Sequence, residues 1–315
     1  MHDHDHEHRH HLTAEAQDVT RTTTLHRREF RPALLSRLRA LKGQIASRVG
    51  YEQDALNLGE NDGRLIGWLF AAAATDPYDF RSDAQKVDEF IEWLQARIDE
   101  GLLEELTREQ VRNGEHFTAS YVRSAYDRGL DGAATRLRQA GYDVDEAMLQ
   151  SAFNAPIHAE TLQTIYTRAY DNLEDITQDM ATGIRRELTT ALEEGINPKE
   201  AARRINGVVD DVGIKRARTL SRTEISNAYN TASARRYQRT GVERVRVVTS
   251  GPCPICESLA DQGPYSVEEA ATLIPGRTHP NCVCSIAPVP SAELRARLGH
   301  LLRRYRLRAR QATAE

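Results

Sequence analysis

The stretch Gly251-Pro252-Cys253-Pro254-Ile255-Cys256, followed after a linker of ordinary polarity by Thr278-His279-Pro280-Asn281-Cys282-Val283-Cys284, holds every cysteine of a 315-residue chain. A thiolate pair at C-x-x-C spacing turns both sulfurs to one side of a tight turn, and a second cluster then completes a tetrahedron around one ion. His279, Cys282 and Cys284 supply that second cluster. Cys253, Cys256, His279, Cys282 and Cys284 thus offer more donors than a tetrahedron needs and leave no slot for a catalytic water, so the expectation is structural zinc. Cysteines scattered at random would all fall in so short a segment on the order of once in a thousand times, so a shared job outranks unrelated buried thiols. Disulfides are the other alternative. No secretory signal's apolar core is seen, so a reducing compartment is expected, and a bond joining Cys282 to Cys284 would be strained.

Outward from the cysteines the composition turns β-branched. Val242, Val245, Val247 and Val248 predict a short strand leading in, and Ser285-Ile286-Ala287-Pro288-Val289-Pro290 a returning strand stopped by proline. Two short strands pinned by an ion are too small to fold alone; in comparable zinc modules the metal contributes roughly 10–16 kcal/mol of folding free energy. Beyond residue 290, Arg295, Arg297, Arg303, Arg304, Arg306, Arg308 and Arg310 interleave with Leu294, Leu298, Leu301, Leu302 and Tyr305. That spacing predicts a basic amphipathic helix able to meet phosphates or an acidic partner, with DNA or protein ranked above membrane and a solvated tail as the alternative.

Upstream the chain reads as helix. Leu34, Leu35, Leu38, Leu41 and Ile45 form one stripe after Pro32. A second piece covers 65–74, and a third carries Val87, Phe90, Ile91 and Leu94 with Gly101 as its expected stop. Tyr121, Val122, Ala125 and Tyr126 form another stripe, which Gly129-Leu130-Asp131-Gly132 is expected to break. From residue 158 to 192, Leu162, Ile165, Tyr166, Ala169, Leu173, Ile176, Met180, Ile184, Leu188 and Leu192 step by threes and fours, which predicts one long helix with a narrow seam. Gly195 ends it, and Asn197-Pro198 restarts a helix. In the segment 216–237, Thr223, Asn227 and Asn230 share one face, flanked by Arg222 and Glu224. Buried amides need partners, so this polar stripe is expected to meet backbone groups, with a solvated face as the alternative.

Net charge of −4 and a pI near 6.3 exclude a global basic footprint, so any nucleic-acid contact must be local. Forty per cent hydrophobic residues, little proline and no apolar run long enough for a bilayer predict a helix-rich, non-membrane chain. The tract of His2, His4, His6, His8, His10 and His11 with Asp3, Asp5 and Glu7 cannot bury a core and is given no chemical role. The expected fold class is mainly α: a helical bundle with long helices plus a small C-terminal α+β zinc-knuckle-like module. Its expected divisions are a His-rich disordered tail (1–14), a helical adaptor (15–113), a helical core (114–241), the Cys/His module (242–290) and the basic tail (291–315).

The long helix opening at His158-Ala159-Glu160-Thr161-Leu162, the Arg222-Thr223-Glu224 helix with Asn227 and Asn230, and Cys253-x-x-Cys256 followed by Gly263 and His279-Pro280-Asn281-Cys282-Val283-Cys284 together resemble the phage Mu protein F-like family of head morphogenesis, or minor capsid, proteins. The likeness spans roughly residues 114–290. Val283 stands where that family usually has a basic residue. The resemblance implies a virion protein at the head interior or portal vertex, present in the host cytoplasm during assembly. Its implied partners are the portal, the major capsid and scaffold proteins, and viral DNA. No phosphate loop, nucleophile elbow or H-E-x-x-H is present, so a non-enzyme is expected. The alternatives are a zinc-dependent hydrolase or effector, with Glu257, Asp261 or Glu268 as its base, and a zinc-bearing DNA-binding protein. Arg222 and Glu224 are expected to tie the module to its neighbouring helix.

Overall fold

The computed structural model describes residues 20, 22–48, 85–144, 156–194, 196, 198–251, 253–292 and 296. The histidine tract, the helix expected at 65–74, the caps at Gly195 and Asn197, and all seven arginines from Arg295 to Arg310 lie outside them. The chain divides into two compact units, one made of Thr24–Ala125 and Phe153–Ile225, the other of Met1–Thr23, Tyr126–Ala152 and Ser226–Glu315. These units do not follow the boundaries expected at 113/114 and 241/242. Segments distant in sequence share one core, and the sequence does not record such pairings.

In the first unit a π-helical turn, Leu25–Phe30, runs into α1, Arg31–Arg48. Next come α2, Gln85–Ile98, and α3, Arg108–Arg112, then the start of α4, Phe117–Gln139. The long helix α5, Pro156–Glu193, is followed by α6, Pro198–Val208, and by the first half of α7, Lys215–Arg239. The α1 stripe Leu34, Leu35, Leu38, Leu41 and Ile45 is buried together with Phe90 and Leu94 of α2 and Leu173, Met180, Ile184 and Leu188 of α5. A helix of 38 residues holds its shape because that seam buries one side along its length.

Gly101 does not stop α2. The chain continues as a π-helical turn, Asp99–Leu103, and ends where Glu104 takes a left-handed conformation, φ 60°. Leu102 and Leu103 are buried there, and their transfer from water outweighs the roughly 1 kcal/mol that glycine costs a helix. Thr107 then opens α3 with a capping box shared with Gln110.

The second unit packs the rest of α4 and α7 with a three-stranded antiparallel sheet in the order β2-β1-β3. Its strands are β1, Arg244–Val248, β2, Tyr265–Ser266, and β3, Ser285–Pro288. Val245 pairs with Tyr265 on one side and Pro288 on the other. The expected linker is structured: it carries α8, Pro254–Gln262, and α9, Val267–Leu273, whose cap Ser266 forms a capping box with Glu269. The expected pair of strands is therefore three, because the linker returns to β1 before reaching the second cysteine pair.

Gly129 and Gly132 do not break α4, which runs through both. A Cβ on Gly129 would stand 2.8 Å from Ala232 Cβ and strike the carbonyl oxygen of Tyr229; one on Gly132 would strike the Tyr229 hydroxyl. These glycines let two helices approach closely. The buried core of this unit joins Ala133 and Leu137 of α4, Ala234 and Tyr237 of α7, the sheet residues Val245, Val247 and Ile286, and Leu259 and Leu273 of the short helices.

Candidate metal centre

Cys253 is the residue before α8, with Pro254 at the helix start, and Cys256 sits one turn in. Proline is pre-shaped for that position, and the exposed amides of a helix N-terminus favour thiolates. The other donors come from the tight turn before β3, in which the Cys282 amide donates to the His279 carbonyl at 3.2 Å and Asn281 takes φ 67°. Two triads form, Cys253 with Cys256 and His279, and Cys256 with Cys282 and Cys284, each with its donor atoms within 4.8 Å of one another. Cys256 belongs to both.

Cys256 Sγ lies 3.7 Å from Cys282 Sγ and 3.6 Å from His279 Nε2, and Cys253 Sγ is 3.2 Å from the same nitrogen. Donors bound tetrahedrally to one zinc at about 2.3 Å for sulfur and about 2.0–2.1 Å for nitrogen stand roughly 3.7 Å and 3.5 Å apart. The cluster matches that spacing at Cys256 and is far too open for a disulfide; all four cysteines are free thiols. His279 Nδ1 lies 2.7 Å from the Pro280 carbonyl, so that nitrogen donates and Nε2 keeps its lone pair for an ion.

The electrostatics fit a cation. Hydrogen bonds to Cys282 and Cys284, reinforced by burial, push the Cys256 thiol far up, while the hydrogen bonds Cys284 accepts from Cys256 and Cys282 hold it down to about 2. Packed sulfurs thus share little negative charge on their own, whereas a dication takes several thiolates at once. Cys256, Cys282 and Cys284 are buried and Cys253 is half-buried, which makes a closed site.

The polar stripe of α7 divides. Asn230, 1 % exposed, reaches the cluster's turn: its Nδ2 donates to the Cys284 carbonyl at 3.1 Å and its Oδ1 accepts from the Ile286 amide at 3.3 Å. Thr223 donates to Thr219 within its own helix, and Asn227 is buried. Glu224 does not tie the module to its helix. It accepts from Asn172 at 2.9 Å and Arg168 at 3.4 Å, both on α5, and burial raises its carboxyl above the usual range despite Arg168 and Asn172. Glu224 lies six residues before Asn230 and about 120° round α7 from it, and Arg222 is half-buried two residues before Glu224.

The clamp on the module's last strand falls to residues that sequence reasoning did not single out. Arg136 donates to Ser285 Oγ at 2.6 Å and to the Ile286 carbonyl at 2.9 Å, and the Tyr237 hydroxyl donates to that carbonyl at 3.3 Å. Nothing in the spacing of α4 sets Arg136 apart from its neighbouring arginines. Glu257, Asp261 and Glu268 are exposed, and none hydrogen-bonds a cluster donor among the described residues. A separate cleft of about 660 Å³ in the first unit is lined by Asp179, Arg204 and Arg216 among others; Arg216 pairs with Asp179, and Arg204 with Glu194 at 3.1 Å.

Residues 182–287 match the family described as Phage Mu protein F like protein. The match covers a third of the chain, from the last third of α5 to β3, and includes all five donors. No curated protein and no solved structure matches. No helix of the described residues is long and apolar enough to cross a membrane.

Proposed function

We propose that this protein is a non-enzymatic head morphogenesis protein of a tailed virus or provirus, entering the head in a few copies at the portal vertex beside capsid and scaffold proteins. The observation that carries the reading is the donor cluster inside the matched region: two triads of thiol and imidazole donors that share Cys256, with Cys256, Cys282 and Cys284 buried and their turn hydrogen-bonded to α7 through Asn230. Such a set closes around zinc and leaves no coordination position for substrate. The ion's work is then mechanical. It joins the start of α8 to the turn before β3, and Arg136, Asn230 and Tyr237 fasten that turn to α4 and α7. The outcome is a rigid face for assembly. The basic segment 291–315 adds a contact to DNA or to an acidic partner.

Mass spectrometry of purified particles tests the assignment. This chain is expected at a few copies alongside the portal, and its absence from particles made by an intact assembly pathway would overturn the reading. Metal analysis of the isolated protein is expected to find about one zinc per chain.

A further inference from the structure

Several arginines in the first unit are matched to acids, among them Arg37 with Glu104, Arg108 with Asp171 and Glu174, Arg185 with Asp88, and Arg216 with Asp179. Arg27, Arg31, Arg39 and Arg218 are exceptions. Among the described residues none of the four forms a salt bridge, and what acts on Arg31 besides burial is the like charge of Arg218, Arg27 and Arg39. Glu29, exposed on the same turn, makes no ion pair with them among the described residues. Arg27, Arg39 and Arg218 are exposed and Arg31 is half-buried.

Beside them lies a second, independent feature. His26, in the π-helical turn, is 6 % exposed, and neither ring nitrogen has a hydrogen-bond partner. It sits in the field of Arg222, Arg31 and Arg27, which disfavours its charged form, and only the nearby Arg218 backbone, too poorly placed for a well-formed hydrogen bond, acts in the opposite sense. A neutral imidazole still carries one N–H, and leaving such a group buried and unmatched costs on the order of 1–3 kcal/mol. An oxyanion seated among the arginines would relieve their repulsion and offer that N–H an acceptor.

We infer that the π-helical turn and the start of α1, with Arg218 of α7, form a phosphate-contacting surface for the backbone of duplex DNA, made by Arg27, Arg31, Arg39 and Arg218 over His26. The arrangement favours a polyanion over a single small anion. Arg27, Arg31 and Arg39 are spaced at roughly 6 and 12 Å along a helix, which is a row and not a pocket. No exposed aromatic residue adjoins it among the described residues, so there is no platform for stacking unpaired bases. Arginine at such positions contacts phosphate oxygens and reads no sequence. This surface is separate from the arginine-rich segment after residue 290 and does not depend on a role in head assembly.

The test uses the full chain and a fluorescent duplex of about 20 base pairs, titrated by anisotropy between 50 and 200 mM NaCl. The R27A/R31A/R218A protein is expected to bind more weakly, with the slope of log affinity against log salt reduced by about 3, near 0.9 per lost phosphate contact. The R27K/R31K/R218K protein keeps the charges and is expected to recover most of that slope, separating charge from damage to the fold. An unchanged slope in the alanine variant, or loss confined to binding of polyglutamate, overturns the proposal. The first result leaves any DNA contact to the C-terminal segment, and the second identifies an acidic protein as the occupant. Neither result bears on whether the chain enters particles.

Discussion

At the residue scale Cys256 is the keystone of the cluster, because it alone belongs to both triads. Cys256→Ser is expected to lower zinc from about one per chain to near none, measured by elemental analysis after gel filtration. Removing Cys253 or Cys284 leaves one triad intact, so either variant retains more metal than Cys256→Ser. His26 makes a pH-dependent contribution of its own. Burial first, then the charges of Arg222 and Arg31, lower it from 6.5 to about 4 in the folded chain. Above pH 6.5 both states are neutral and nothing is lost. As pH falls below that, the unfolded chain takes the proton first, so stability drops until the folded pKa near 4 is reached. At pH 5 the loss is about 2 kcal/mol. Urea denaturation at pH 7 and pH 5 is expected to show His26→Leu losing less stability than wild type by about that amount. Equal losses would remove the assignment.

At the element scale the glycines of α4 and α6 make opposite predictions. Gly129→Ala would favour an isolated helix by about 1 kcal/mol, yet its Cβ meets Ala232 and the Tyr229 carbonyl, and relieving that overlap costs roughly 1–3 kcal/mol or more. Net destabilisation is expected, read as a lower melting temperature. Gly207 lies in α6 with nothing within 4 Å of where a Cβ would stand. Gly207→Ala is therefore expected to stabilise by about 0.4–1 kcal/mol. The same contrast explains which helices were legible. The stripes of α1 and α5 repeat every three or four residues over several turns, so both helices were readable from their apolar positions. A glycine pair in α4 looks identical whether it ends a helix or admits a neighbour, and only Tyr229 distinguishes the two.

At the scale of the whole molecule, two units with separate buried cores meet very different consequences of chelation. The sheet module has three short strands and two short helices around the cluster, so an ion held there is expected to supply much of its stability. The unit containing α5 has its own large apolar core and no cysteine. Scanning calorimetry with and without a strong zinc chelator is expected to shift one transition down and leave the other in place. A single transition that moves as a whole would show that the two cores unfold together.

The sequence by itself determined the helical class, the long seam of α5 and which five cysteine and histidine residues gather in one cluster, because periodicity and close spacing are local properties that the chain carries in its own order. Tertiary structure alone decided that Asn230, Arg136 and Tyr237 hold the cluster's turn while Glu224 turns to α5, and that Arg218 of α7 acts on Arg31 together with Arg27 and Arg39. A side chain's partner depends on which distant helix packs beside it, and a linear pattern of residues carries no term for that.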